Sequence, residues 1–289
     1  MKKSTFNALI RLLEDKDPVV AEHVEAELRS LGMEGIATLE KAWEKTKDSV
    51  IQARLEQLIY EIQVSHFTEE LYTWRKNGGK DLLEGWALLT EIQFPTLNIE
   101  KYKNEVNRLV NRTWLQAREQ ETDLEKLHAL NKLLYNSEGY TGSYDQPSKP
   151  EKNYLGFLID TKDGNSLSLS TLYAIIAEQL GISLQIVNFM GYYALRYYRQ
   201  DAHFYIDAYN KGIFFTPQQV QEFLKKMKVE DKLYHYKPLS NIYVILNFIQ
   251  LLITSYTQTG QMDKVELFKQ LARDIDIRFD SDIDPSSLH

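Results

Sequence analysis

The sequence predicts an α+β fold that is predominantly helical, with a helical N-terminal region, a core of one helix on a small antiparallel sheet, and a C-terminal helical hairpin. Three observations predict it. Apolar residues recur at helical spacing from Leu9 to Leu134. A strongly apolar helix from Ser166 to Leu180, stopped by Gly181, is followed by short runs rich in Val, Ile, Phe and Tyr. Beyond Pro238, two more helical patterns flank a turn at Gly260.

The N-terminal region, 1–65, reads as four short helices. The first carries Leu9, Leu12 and Leu13. Asp15-Lys16-Asp17-Pro18 is a turn that also starts the second, because proline is tolerated in a first helical turn. The second buries Val20, Val24, Leu28 and Leu31 and stops at Gly32. The third offers Ile36, Leu39 and Trp43; the fourth offers Ile51, Leu55, Leu58, Ile59 and Ile62. Paired helices of this length with Asp-Pro at the inner turn look like HEAT-type repeats.

A core region follows at 66–232, with a helical part at 66–136 and a helix-plus-sheet part at 153–232. Its helical part is marked by Leu82, Leu83, Trp86 and Leu89, then by Tyr102, Val106, Leu109, Val110 and Trp114 after Pro95, then by Leu127, Leu130, Leu133 and Leu134. Ser137 to Lys152, rich in Gly, Ser, Pro and Asp, is a loop. Strands are expected at Leu184 to Phe189, Tyr192 to Tyr198 and His203 to Asp207, and Thr216-Pro217 opens a further helix. The region 233–289 holds two helices, Ser240 to Thr257 and Met262 to Ile275, resembling a tetratricopeptide-type hairpin, then an acidic tail.

Composition excludes several classes. With 43% hydrophobic and 26% charged residues the chain is an ordinary globular one. Its net charge of −7, without a dense basic cluster, argues against nucleic acid as a partner. The N-terminus lacks the apolar run of a signal peptide. The most apolar stretch, Ile242 to Ile253, is interrupted by Asn247 and Gln250 and is too short to span a bilayer. With no cysteine, disulfides and thiolate metal sites are impossible, and the cytoplasm is the expected location. No metal or cofactor is expected: the histidines are scattered and form no HExxH pattern. Asn77-Gly78-Gly79-Lys80 lacks phosphate-loop spacing. Asp274, Asp276, Asp280, Asp282 and Asp284 lack the Gly and closing Glu of a calcium loop.

An ordered set of segments resembles a known family. Asp81 to Leu89 with Phe94-Pro95 is similar to the opening of SirB-type proteins. The likeness continues through Leu127 to Gly139, Asn153-Tyr154-Leu155, Gly164 to Ser170, Gly181-Ile182-Ser183, Gly191-Tyr192-Tyr193 and Ile206 to Asn210. That family belongs to the transglutaminase-like superfamily, so the resemblance implies a papain/transglutaminase-like core, flanked by HEAT-like and tetratricopeptide-like helices. In active superfamily members a cysteine opens the central helix, a histidine lies on a following strand and an aspartate on the next. The resemblance puts Ser166 at the nucleophile position, Tyr192 at the histidine position and Asp207 at the aspartate position. Acyl transfer needs all three roles: nucleophile, base, and orienter of the base.

Here two of the three residue types are missing. A serine hydroxyl is a weak nucleophile without a base, and a phenol, titrating near pH ~10, is a poor one. Ser166 is therefore expected to cap the helix. His203 shares a strand face with Tyr205 and Asp207, but residues four apart on a strand lie ~13 Å apart, so a His203–Asp207 pair is not expected. Asp207 is either a remnant of the triad or part of a pocket, or it is the start of the turn Asp207 to Gly212. The tyrosine-rich stretch offers Tyr193, Arg196, His203 and Tyr205 as ligand-binding candidates, with ordinary strand packing as the alternative. Arg196 either clamps a carboxylate or pairs with an acidic neighbour. The expected function is a catalytically inactive transglutaminase-like protein that binds, or scaffolds, a peptide or protein partner. The alternative is a hydrolase using Ser166 on amides or esters.

Overall fold

The computed structural model describes residues 3–13, 17–143, 149–199, 202–226 and 237–276. They form two compact units, one drawn from Met1–Leu71 and Glu91–Leu97, the other from Tyr72–Thr90 and Asn98–His289.

The first unit is helical: α1 (Lys3–Leu12), α2 (Pro18–Arg29), α3 (Gly32–Lys45) and the first part of α4 (Ser49–Lys76). Asp17 caps α2, its carboxylate accepting the Val19 N–H at 2.9 Å, with Pro18 in the first turn. Phe6, Leu13, Val24, Leu28, Leu39, Ile51, Leu55 and Leu58 form the core. Trp43 is exposed, so the helical spacing over-extended the buried face of α3 by one turn. The fourth helix runs 28 residues rather than ending near Ile62, because no Gly or Pro interrupts Ser49 to Lys76. It stops at Gly78 and Gly79, both at positive φ, where the Gly79 N–H returns to the Trp74 carbonyl at 3.0 Å. Asn77-Gly78-Gly79 is thus a helix stop.

The second unit begins with α5 (Leu82–Gln93, as far as Thr90), α6 (Ile99–Ala117) and α7 (Asp123–Asn131). Helix α6 begins after Pro95 as expected, capped by Asn98, whereas Trp114 near its end is exposed, against the expected buried stripe. Helix α7 runs into a π-helical turn, Lys132–Ser137. Within the expected loop, β1 (Thr141–Gly142) pairs in parallel with β2 (Asp163–Gly164), and a 3-10 turn (Pro150–Asn153) leads to α8 (Leu155–Thr161). Both strands are two residues long, too short to give a periodic signal.

Central helix α9 (Ser166–Gln179) is buried at every position from Leu167 to Ala177, which explains its unbroken apolar character. It packs on β4 of an antiparallel sheet of order β3 (Gln185–Phe189), β4 (Tyr192–Tyr198), β5 (His203–Asp207) and β6 (Ile213–Phe215). Strand β6 adds a fourth member to the three expected; three residues carry too little alternation to read. Val220 and Leu224 of α10 (Pro217–Lys226) pack with Val187, Phe189, Ala194 and Tyr205. Each fully buried Leu, Val or Phe of these clusters contributes roughly 1.5–3 kcal/mol.

Helices α11 (Asn241–Gln258) and α12 (Met262–Ile275) form the expected pair, turned at Gly260 (φ 74°), with Tyr256 stacked on Phe268. The fold is therefore predominantly helical with one four-stranded antiparallel sheet. No helix among the described residues is long and apolar enough to cross a membrane. Asp280, Asp282 and Asp284 lie outside the described residues.

Candidate functional site

The start of α9 is fixed by side chains rather than by its first serine. Asn165 is the cap: its Oδ1 accepts the Ser168 N–H at 2.8 Å, while Ser168 Oγ accepts the Asn165 N–H at 3.0 Å. This reciprocal box satisfies two orphan donors of the first turn. Asn165 Nδ2 also donates to Asn153 Oδ1 at 2.8 Å, and the Asn153 carbonyl accepts from Trp86 Nε1 at 2.8 Å. The expectation that Ser166 caps the helix is corrected, because Asn165 occupies that place. Ser166 Oγ instead accepts the backbone N–H of Tyr193 at 3.2 Å, which sets it against the start of β4.

Tyr192 and Asp207 come together. Strands β4 and β5 pair with Leu195 opposite Ile206, so Asp207 is a diagonal neighbour that a tyrosine is long enough to reach. The Tyr192 hydroxyl donates to the Asp207 carboxylate, 2.7 Å from Oδ1 and 2.8 Å from Oδ2. Asn210 completes the group. Its backbone N–H donates to Asp207 Oδ1 at 3.0 Å, and its Nδ2 lies 2.8 Å from Asp207 Oδ2 and 3.0 Å from the Tyr192 hydroxyl. Asp207 therefore starts the turn, one of the roles the sequence left open, and also holds the tyrosine.

That turn is pinned from below. The buried Tyr135, in the π-helical turn, donates its hydroxyl to the Ala208 carbonyl at 2.9 Å. Burial, then the neighbouring Tyr173 and Asp207, push its pKa well up, so it stays a donor. Asn131 Nδ2 donates to the Gly212 carbonyl at 2.8 Å and its Oδ1 accepts from Tyr173 at 2.9 Å. Gly212 sits at φ 71° with Asn131 against it, leaving no room for a Cβ. The β3–β4 turn, Met190-Gly191, has positive φ at both positions, and Asn188 Oδ1 accepts the Gly191 N–H at 2.6 Å.

Beside this group lies a cavity of about 420 Å³ lined by Phe189, Tyr192, Asp207, Asn210, Ile213, Phe215, Gln219 and Val220. Its size lies within the range of ligand pockets. Among the described lining residues four are apolar, and Asp207 alone carries a formal charge.

The other candidates do not line it, although Tyr205 packs behind its walls against Phe189, Phe215 and Val220. Tyr193 points to the opposite sheet face, 3% exposed, with its hydroxyl on Asn247 Oδ1 at 2.7 Å and its pKa raised by burial. Tyr205 is buried with Val220 and Leu224. Arg196 donates from Nε and Nη2 to Gln185 Oε1 across the β3–β4 pair. His203 stands at the far end of β5 from Asp207, edge-on to the exposed Tyr198, its pKa lowered by burial and by Arg196. Asn210 was missed as a site residue; its only signal was the Asp-x-x-Asn spacing of a side-chain-closed turn. Among the described residues no group of three His, Asp or Glu could hold a metal ion.

A family model described as the transglutaminase-like superfamily matches residues 100–250, which span α6 to α11. A UPF0162 protein of Xylella fastidiosa is 28% identical over 143 residues, 49% of this chain and 50% of the relative. F-box only protein 21 of Homo sapiens is 26% identical over 156 residues, 51% of this chain and 24% of the relative. The chain thus spans about half the length of the first relative and about a quarter of the second. No solved structure matches the chain. With the matched segment covering more than half of its residues, the chain belongs to the transglutaminase-like superfamily.

Proposed function

We propose that this chain is a SirB-type member of its superfamily that binds a peptide or protein partner and does not cleave it, with HEAT-like and tetratricopeptide-like helices flanking a 66–232 core, and that it works in the cytoplasm. One observation carries the reading: the carboxylate that would orient a base is taken up by a phenol. The Tyr192 hydroxyl donates to both oxygens of Asp207, and Asn210 supplies two further donors. A phenol whose proton is committed to a carboxylate does not accept one from Ser166. Ser166 Oγ, for its part, accepts from a backbone N–H and is given no base by any described hydrogen bond. The cavity next to this group supports binding there.

The test is amide and ester turnover by the purified full chain, beside Ser166→Ala. Both proteins are expected to match buffer. Wild-type turnover that disappears in Ser166→Ala would overturn the reading in favour of a serine hydrolase.

A further inference from the structure

We propose that the cavity beside Tyr192 receives an apolar peptide side chain flanked by a basic residue, and that it disfavours one flanked by a carboxylate. This rests on the binding reading above and names its ligand class. Phe189, Phe215 and Val220 form walls suited to an aliphatic or aromatic side chain. Ile213 lines the same cavity yet is 59% exposed, an apolar lip left to solvent. Met190, also exposed, stands at the hairpin tip between two lining residues, Phe189 and Tyr192.

Charge sets the flanking residue. Among the described residues no Lys, Arg or His lines the cavity, and the donors that reach Asp207 from Tyr192 and Asn210 are neutral. They satisfy the carboxylate's lone pairs without cancelling its charge, so the polar end of the cavity is negative. A cation a few ångströms away is attracted there, and an anion is repelled by a similar amount.

The test uses two labelled, end-blocked peptides, acetyl-Gly-Leu-Phe-Lys-Gly-amide and its counterpart with Glu in place of Lys, titrated into the full chain by fluorescence anisotropy. The Lys peptide is expected to bind about tenfold more tightly at low salt, with the preference shrinking as salt screens it. Asp207→Asn should bring the two within about twofold, and Val220→Trp, which fills the cavity, should abolish both. Should Asp207→Asn not fold, the salt dependence in the wild type decides. Equal binding of both peptides, or a salt-independent preference, overturns the charge assignment and leaves the binding reading standing. Binding of neither peptide overturns both.

Discussion

Asn247 interrupts the most apolar stretch of the sequence, and its place in α11 makes a quantitative prediction. Its Oδ1 accepts the buried Tyr193 hydroxyl at 2.7 Å and Asn188 Nδ2 at 3.2 Å, and its Nδ2 donates to the Tyr243 carbonyl at 2.6 Å. Tyr193→Phe removes one donor while Oδ1 keeps Asn188, so it should cost about 1 kcal/mol. Asn247→Leu fits the apolar surroundings but strands the Tyr193 hydroxyl away from water, at about 2–3 kcal/mol. The double variant has no stranded hydroxyl, so the two changes should couple favourably by about 1–2 kcal/mol. Urea unfolding followed by tryptophan fluorescence measures this, because Trp86 is buried in the same unit and stacked on Phe248 of α11. Additivity within about 0.3 kcal/mol would refute the pairing. Tyr193→Phe should also leave peptide binding unchanged; lost binding at unchanged stability would return Tyr193 to the site.

Three further outcomes are expected. Met190→Asn should raise stability by about 1 kcal/mol, since Met190 is exposed at φ 57° in a turn that favours Asn-Gly; an unchanged or lower urea midpoint would count against it. Gly142→Ala should cost about 1–3 kcal/mol in a thermal-shift assay, because a Cβ there runs into the Tyr209 ring that stands edge-on to Tyr192. Arg108 hydrogen-bonds Glu105 and holds its carboxyl below its ordinary value of 4.5, so this pair stabilises the fold above that pH and stops doing so as pH falls through the lowered value. Glu105→Gln should therefore melt below wild type near neutral pH and converge with it in acid; a constant gap would contradict the linkage.

The sequence showed most where apolar periodicity ran long. Helices α9, α11 and α12 lie within a residue or two of their expected ends, since Gly181 and Gly260 mark stops that backbone geometry requires. It showed least where a few residues decide. Strands β1, β2 and β6 are two or three residues long, and the cap of α9 moved one place because Asn165 outcompetes Ser166 for the Ser168 N–H. At the site, the family resemblance pointed to Tyr192 and Asp207, but the reach of a tyrosine across a diagonal pair could only come from the register. Tyr193 and Tyr205 looked like Tyr192 in composition. Tyr193 is buried on the opposite face of the sheet, and Tyr205 lies on Tyr192's own face but under Val220 and Leu224 of α10, both facts of tertiary packing.

The burial of α9 from Leu167 to Ala177 has a kinetic consequence. Amides in its middle have neither fraying ends nor a wet face through which to open, so they should exchange with deuterium only when the whole unit unfolds. Ser166 stands one residue before that protected segment. Ser166→Ala should therefore leave the amide protection of the segment behind it unchanged.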